Sequence, residues 1–284
     1  MQEGELALHG RTVGYADYGG GHATAALWCH GGPGSRLEPA AVAEAAGSVG
    51  VRLIGIDRPG YGRSTPRPGR TIADWVPDAL TVADQLGLPR FALVGVSTGG
   101  AYALAVAAQA PARVLGVLAC CALTDMRWPE GKAMMSGAGV VEIWRAADRA
   151  AALAIATDVF GSDGSKMLTS AAGPDLAPAD QALLRDPAFL SGMMSSFPAM
   201  FAQGLAGYVD DRLADGPGWG SFDVTRITCP VTVLHGDSDS IVPVAHARHT
   251  AALVPGASLR ICAGLGHFSI FTEIVPELGG LLRG

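Results

Sequence analysis

Residues 91–108, FALVGVSTGGAYALAVAA, change character at their centre, Gly95-Val96-Ser97-Thr98-Gly99-Gly100. FALVGV is a short continuous apolar run, as in a strand buried on both faces, and AYALAVAA continues as a helix-like apolar segment. So abrupt a passage from strand to helix needs small residues where the chains pass closely. The segment is either a plain glycine turn, a phosphate loop, or a turn that holds a nucleophile out of its scaffold. No lysine stands in it to meet a phosphate, and G-x-S-x-G between a strand and a helix is the pattern that projects a serine oxygen from the carboxyl edge of a sheet. Residues 91–112 are uncharged and long enough to span a bilayer, but the glycines interrupt them, and a buried strand followed by a buried helix has the same composition.

Ser97 as nucleophile requires a base, and the base an orienting acid. Of the seven histidines, His267 lies in GLGHFS, just past an expected strand over LRICAG and before a closing helix. His9, His22, His246 and His249 read as solvated surface groups, and His235, inside VTVLHGD, as a structural strand-end histidine. For the acid, HGDSDSIVP offers Asp237 and Asp239. Asp239, one residue further into the loop, can reach the imidazole, whereas Asp237 suits bracing backbone amides of the turn. Asp125, at the end of CCALTD, is a third candidate. His30-Gly31-Gly32-Pro33-Gly34 follows the apolar run AALWC, and its glycines free a backbone N–H to face developing negative charge. Gly32 and Thr98 are the expected oxyanion donors, against a plain Gly-Pro turn as the alternative.

Outward from these motifs the chain alternates. ELALHG and RTVGYADYG suggest an opening hairpin; AALWCHG, VRLIGID, FALVGV, VLGVLACCAL, VTVLHGD and LRICAG suggest strands. Helical spacing recurs over 71–86, 98–109, 244–253 and 268–282. A mostly parallel central sheet with helices on both faces follows, an α/β class with right-handed crossovers. Between about Asp125 and Phe222 no buried strand is predicted. Helical patches carry Trp128, Met134, Met135, Trp144, Met193, Met194, Phe197, Met200 and Phe201, while Met126 opens the same segment and Met1 and Met167 stand apart. These side chains suit either an adaptable apolar pocket or the seam between an inserted helical cap and the core. The expected division is core 1–125, cap 126–222 and core 223–284.

Composition bounds the function. The 284 residues are 49% hydrophobic, enough for one large domain, and a net charge of -6 without a Lys/Arg cluster offers no footprint for nucleic acid or an anionic membrane. The start of the chain shows no secretory signal, which favours the cytoplasm. Five cysteines without a CxxC pair read as reduced thiols, mostly buried. Glu130 and Glu142 read as exposed helix positions.

Taken together, GVSTGG, HGGPG, DRPGYGRS (57–64), GDSDSIVP and GLGHF resemble the α/β-hydrolase superfamily, in its cap-bearing esterase and proline-iminopeptidase-like branches. The resemblance covers nearly the whole chain outside the cap. It implies the α/β-hydrolase fold, Ser97 as nucleophile, His267 as base, Asp239 as acid, Gly32 and Thr98 as oxyanion amides, and 57–64 as a structural loop. Proline iminopeptidases usually carry GGSWG around the serine, where this chain has GVSTG. A serine at the elbow also separates it from epoxide hydrolases and haloalkane dehalogenases, which carry aspartate.

The expected activity is hydrolysis of carboxylic esters of small to medium hydrophobic acids through an acyl-enzyme on Ser97, without metal or organic cofactor. Lactone, proline-iminopeptidase-type and C–C bond hydrolysis and perhydrolysis suit the same triad, and a noncatalytic ligand-binding protein uses the same fold. A small-molecule substrate is the expected partner, with a homo-oligomer left open.

Overall fold

The computed structural model describes residues 1–19, 24–135, 139–166 and 176–282, so His22 and Met167 lie outside the described residues. Eight strands form one sheet: β1 (Gln2–Leu8), β2 (Arg11–Asp17), β3 (Thr24–Cys29), β4 (Val51–Ile56), β5 (Phe91–Val96), β6 (Val114–Cys120), β7 (Val231–Gly236) and β8 (Ser258–Cys262), in the order β1-β2-β4-β3-β5-β6-β7-β8. The opening hairpin pairs antiparallel and β2 joins β4 antiparallel; every other pairing is parallel.

The continuous apolar runs serve two cores, one on each face. Along β3 and β5, Ala25, Leu27, Cys29, Phe91 and Leu93 face one core. Ala26, Trp28, Ala92, Val94 and Val96 face the other. Helices α1 (Ala43–Ser48), α2 (Val76–Gln85) and α3 (Gly99–Gln109) follow strands β3, β4 and β5. Residues of α2 and α3 fill the first core, and α1 packs into the second. Full burial of each large apolar side chain is worth about 1.5–3 kcal/mol, so α3, buried along ten of its eleven residues, is a major part of the core.

Between β6 and β7 come α4 (Pro129–Met134), α5 (Val140–Trp144), α6 (Arg149–Phe160), α7 (Pro178–Leu183), α8 (Pro187–Ser195), α9 (Phe197–Met200) and α10 (Ala206–Asp215). No strand lies there among the described residues, as the change of rhythm in the sequence suggests. Helices α11 (Ala245–Leu253) and α12 (Phe271–Leu281) follow β7 and β8, and residues of α12 fill the second core. Among the described residues no helix is long and apolar enough to cross a membrane.

Three local expectations shift. The apolar run 114–123 is strand only to Cys120, because Cys121 turns to φ +40°. The helical pattern from Thr71 begins as a 3-10 turn, Ala73–Trp75. His246 and His249 are not solvated: His246 is fully buried and His249 half-buried, its ring stacked 4.3 Å from that of Trp128.

Candidate active site

Ser97 stands at the junction of β5 and α3 with φ +52°, a left-handed conformation that a residue with a Cβ adopts only when its surroundings enforce it. Its N–H donates to Cys120 O at 2.9 Å. Its flanking glycines are required by contact. A Cβ at Gly99 would lie 1.9 Å from Cys29 O, and one at Gly95 2.6 Å from Gly99 O. The turn is small because three backbone segments cross at it.

Ser97 and His267 line one cavity of about 380 Å³. His267 Nδ1 lies 2.8 Å from Asp239 Oδ2. Asp239 follows β7, and its Oδ1 accepts the N–H groups of Ile241 and Val242 at 2.9 and 2.8 Å, which fixes the carboxylate. His235 Nε2 donates to Val242 O at 2.7 Å and lies 3.3 Å from Asp239 Oδ2. Burial works against an ionised Asp239, but the charges and hydrogen bonds of His267 and His235 outweigh it and hold the carboxyl well below its usual range. Burial likewise disfavours a charged His267, and Asp239, with Cys121, more than offsets it, raising the imidazole well above 6.5.

The other two acids are elsewhere. Asp237 Oδ1 accepts Gly264 N–H at 2.7 Å, bracing the loop that leads to His267. Asp125 is held by Arg127 and by Trp219 N–H. Only Asp239 among the three is bonded to His267.

The loop after β3 carries the second half of the site, and its Gly32–Pro33 peptide is cis. His30 Nε2 accepts Arg58 N–H at 3.1 Å, so Nδ1 carries the proton and donates to Gly31 O at 2.7 Å. Arg58 also donates to His30 O, and to Gly31 O at 2.7 Å. In a trans peptide the N–H points opposite the C=O, so the Gly32 N–H turns away from Arg58. The Gly31 N–H is taken by Glu38 at 3.0 Å. Among the described residues, neither Gly32 nor Thr98 donates its N–H to a protein acceptor. Arg58 is held by the carboxylate of Asp211 in α10, which also accepts from Arg70, Tyr61 and Tyr102. Burial opposes the charge on Asp211, and Arg58 and Arg70 nevertheless keep its carboxyl far below the usual range.

Four residues that the motifs do not flag belong to the site. Asp180, on α7, is fully buried, and its two oxygens accept the N–H groups of His267, Phe268 and Ser269 at 3.0, 3.2 and 2.7 Å. Glu38 lines the cavity beside Ser97. Arg212, also in the wall, donates to Thr98 Oγ1 and pairs with Asp215 at 2.7 Å. Cys121 lies with its sulfur 3.8 Å from His267 O. None of these has a local sequence signal: each meets the site only through the fold.

Cys121, Asp239 and His267 bring one ligand atom each within 4.8 Å of one another, the only such trio with metal-ligand chemistry among the described residues. The Asp239–His267 hydrogen bond already occupies two of the three, so the geometry suits proton transfer. All five cysteines are free; Cys29, Cys120 and Cys121 are buried, while Cys229 and Cys262 are half-buried.

Apart from Ser196 and Tyr208, the remaining wall is apolar. Met135, Met193, Met194 and Met200 line the cavity with Phe160, Phe197, Phe201, Phe268 and Phe271. Trp128 and Trp144 do not, since Trp128 stacks on His249 and Trp144 donates to Asp215 at 2.7 Å. Glu130 and Glu142 are exposed.

Known proteins share this arrangement of chain. The chain is 29% identical over 248 residues to a 2-hydroxymuconate semialdehyde hydrolase of Pseudomonas putida, an alignment that covers 86% of this chain and 80% of the relative. Its backbone superposes on a thermophilic esterase from Thermogutta terrifontis with a TM-score of 0.73 at 21% identity, covering 100% of this chain and 98% of that one. The enol-lactonase from Burkholderia xenovorans LB400 gives a TM-score of 0.75 at 20% identity over 99% of this chain and 100% of the other. The family model for the alpha/beta hydrolase fold matches residues 27–274, from β3 through the elbow to α12. With the sheet order, the serine elbow and that match in agreement, the chain belongs to the α/β-hydrolase family.

Proposed function

We propose that this hydrolase cleaves carboxylic esters of small to medium hydrophobic acids through an acyl-enzyme on Ser97. The observation that carries this is the opening of Ser97 and the Asp239-bonded His267 onto one cavity whose wall is largely apolar, with methionine and phenylalanine prominent in it. Ser97 Oγ attacks the ester carbonyl as His267 takes its proton. The oxyanion is met by the N–H groups of Gly32 and Thr98, each worth about 3 kcal/mol of barrier. His267 then protonates the leaving alcohol, and water, activated by the same imidazole, releases the acid. Asp239 fixes the imidazole tautomer throughout. Residues 126–222 act as the cap that shapes the acyl pocket.

The test is hydrolysis of p-nitrophenyl butyrate by the wild type and Ser97→Ala. A burst and turnover in the wild type, lost at least about 10⁴-fold in the variant, supports the proposal. A wild type that neither turns over nor takes a fluorophosphonate label at Ser97 sinks it and favours ligand binding. Cleavage of a carbon–carbon bond is the second reading, favoured by the likeness to the 2-hydroxymuconate semialdehyde hydrolase. Activity on 2-hydroxymuconate semialdehyde exceeding that on esters would establish it instead.

A further inference from the structure

Among the described residues, Glu38 is the one acidic side chain in the cavity wall, and the proposed ester mechanism gives it no task. Its position is fixed from behind. Oε1 accepts Trp28 Nε1–H at 2.8 Å and Gly31 N–H at 3.2 Å, while Oε2 accepts only Gly31 N–H, at 3.0 Å. A carboxylate offers about four acceptor sites over its two oxygens, so Oε2 keeps capacity free. That oxygen and the serine flank the same glycine: a Cβ built on Gly31 would lie 3.4 Å from Oε2 and 3.8 Å from Ser97 Cβ, so the two are no more than about 7 Å apart. Burial pushes the Glu38 carboxyl up to about 7, against the lowering by Trp28, Gly31 and Arg58. A carboxylate held in an apolar wall is stabilised by any donor that arrives with the ligand.

We propose that Glu38 is a substrate-binding group, accepting a hydrogen bond from a hydroxyl or ammonium carried one or two carbons from the reacting carbonyl on the acyl side. The position follows from the loop. A carbonyl oxygen at Gly32 N–H sets the reacting carbon beside Ser97, and Gly31, one residue back along the same loop, sets Oε2 next to the first acyl carbons. The preferred substrates are then 2- or 3-substituted acyl esters carrying a donor, on an otherwise hydrophobic chain. This rests on the ester reading above and narrows it. The competing role is purely structural: Glu38 as counter-charge to Arg58 and as a peg for the Gly31 amide. That role costs all substrates equally when Glu38 is changed.

The experiment compares methyl butyrate, methyl 2-hydroxybutyrate, methyl 3-hydroxybutyrate and methyl 2-aminobutyrate with the wild type and Glu38→Gln, by acid release at constant pH. Expected is a wild-type preference of at least tenfold in kcat/KM for a donor-bearing ester over methyl butyrate. Glu38→Gln should cut that preference at least tenfold, whatever it does to the common rate. The hydroxy and amino arms tell the two donors apart. Absence of a preference in the wild type, or a preference that survives in Glu38→Gln, overturns the proposal. Should Glu38→Gln fail to fold, Glu38→Asp, which withdraws the carboxylate by one methylene, is held to the same ratio. If no ester is turned over although Ser97 is labelled by a fluorophosphonate, the ester reading has failed by itself, and calorimetry of 2-hydroxybutyramide, 3-hydroxybutyramide and 2-aminobutyramide against butyramide decides this one. Tighter binding of a donor-bearing amide that Glu38→Gln abolishes supports the subsite, and equal binding overturns it.

Discussion

The carboxylate of Asp180 holds the backbone of His267: Oδ2 accepts its N–H at 3.0 Å, across 87 residues of chain. Oδ1 accepts the next two backbone N–H groups and, at 2.6 Å, the Ser269 hydroxyl. A helix between β6 and β7 thus clamps the loop of the candidate base.

Asp180→Asn separates these bonds. The amide oxygen can keep the contacts of Oδ1, while the NH₂ group faces the His267 N–H donor to donor. Misplacement of the imidazole is expected to lower kcat about 10–100-fold with little change in KM for a small ester. Loss of the charge-assisted bond costs about 1.5–3 kcal/mol of stability. Steady-state kinetics beside denaturant unfolding check both, and an unchanged kcat in a folded variant refutes the clamp.

Asp239→Asn is expected to lower kcat by about 10⁴, through loss of the tautomer that leaves Nε2 free. Asp125→Asn, which touches Arg127 and Trp219 rather than His267, is expected to stay within threefold. The two rates measured side by side distinguish the acids, and a large loss confined to Asp125→Asn reverses the assignment.

The pH dependence has a definite sign. The proposed base must be neutral to accept a proton from Ser97, and Asp239, with Cys121, raises the His267 value well above 6.5. The kcat/KM of the wild type should therefore climb with pH along a limb centred above 6.5. In Asp239→Asn the imidazolium loses its partner, and the limb should move to lower pH. A pH–rate profile of both proteins measures the displacement.

Gly99→Ala forces a methyl to 1.9 Å from Cys29 O, a backbone atom that cannot yield without moving β3. A loss of about 3 kcal/mol or more is expected, read as a lower unfolding midpoint or insoluble expression.

The alternation of strands and helices was legible because its signals are local: continuous apolar runs for buried strands, glycine where the elbow crosses other backbone. The motif residues were legible for the same reason, since each lies in the turn or loop that follows a strand announced by its apolar run. Asp180, Glu38 and Arg212 carry no such mark, because an acidic or basic residue in a helical patch looks the same whether it meets solvent or the Gly266–Ser269 loop. His246 was misread on that account. AHARHTAAL looks like a polar surface helix, yet the ring is fully buried, with Nε2 3.1 Å from Gly131 O. The purpose of the methionines was undecidable from composition, and it took the fold to show that four of them face the cavity while Met126 is buried against Leu123 and Val242.

Behind the Gly32 amide stands the pair Arg58 and Arg70 on a single Asp211, all three side chains out of reach of solvent. The peptide between Gly31 and Gly32 is aligned by Arg58, its oxygen on the guanidinium and its hydrogen turned away from it. Mobile ions do not reach a source buried this way, as they reach a lysine at the rim of a cleft. The field at the loop is therefore set by groups fixed at folding and is screened by salt far less than that of a surface charge.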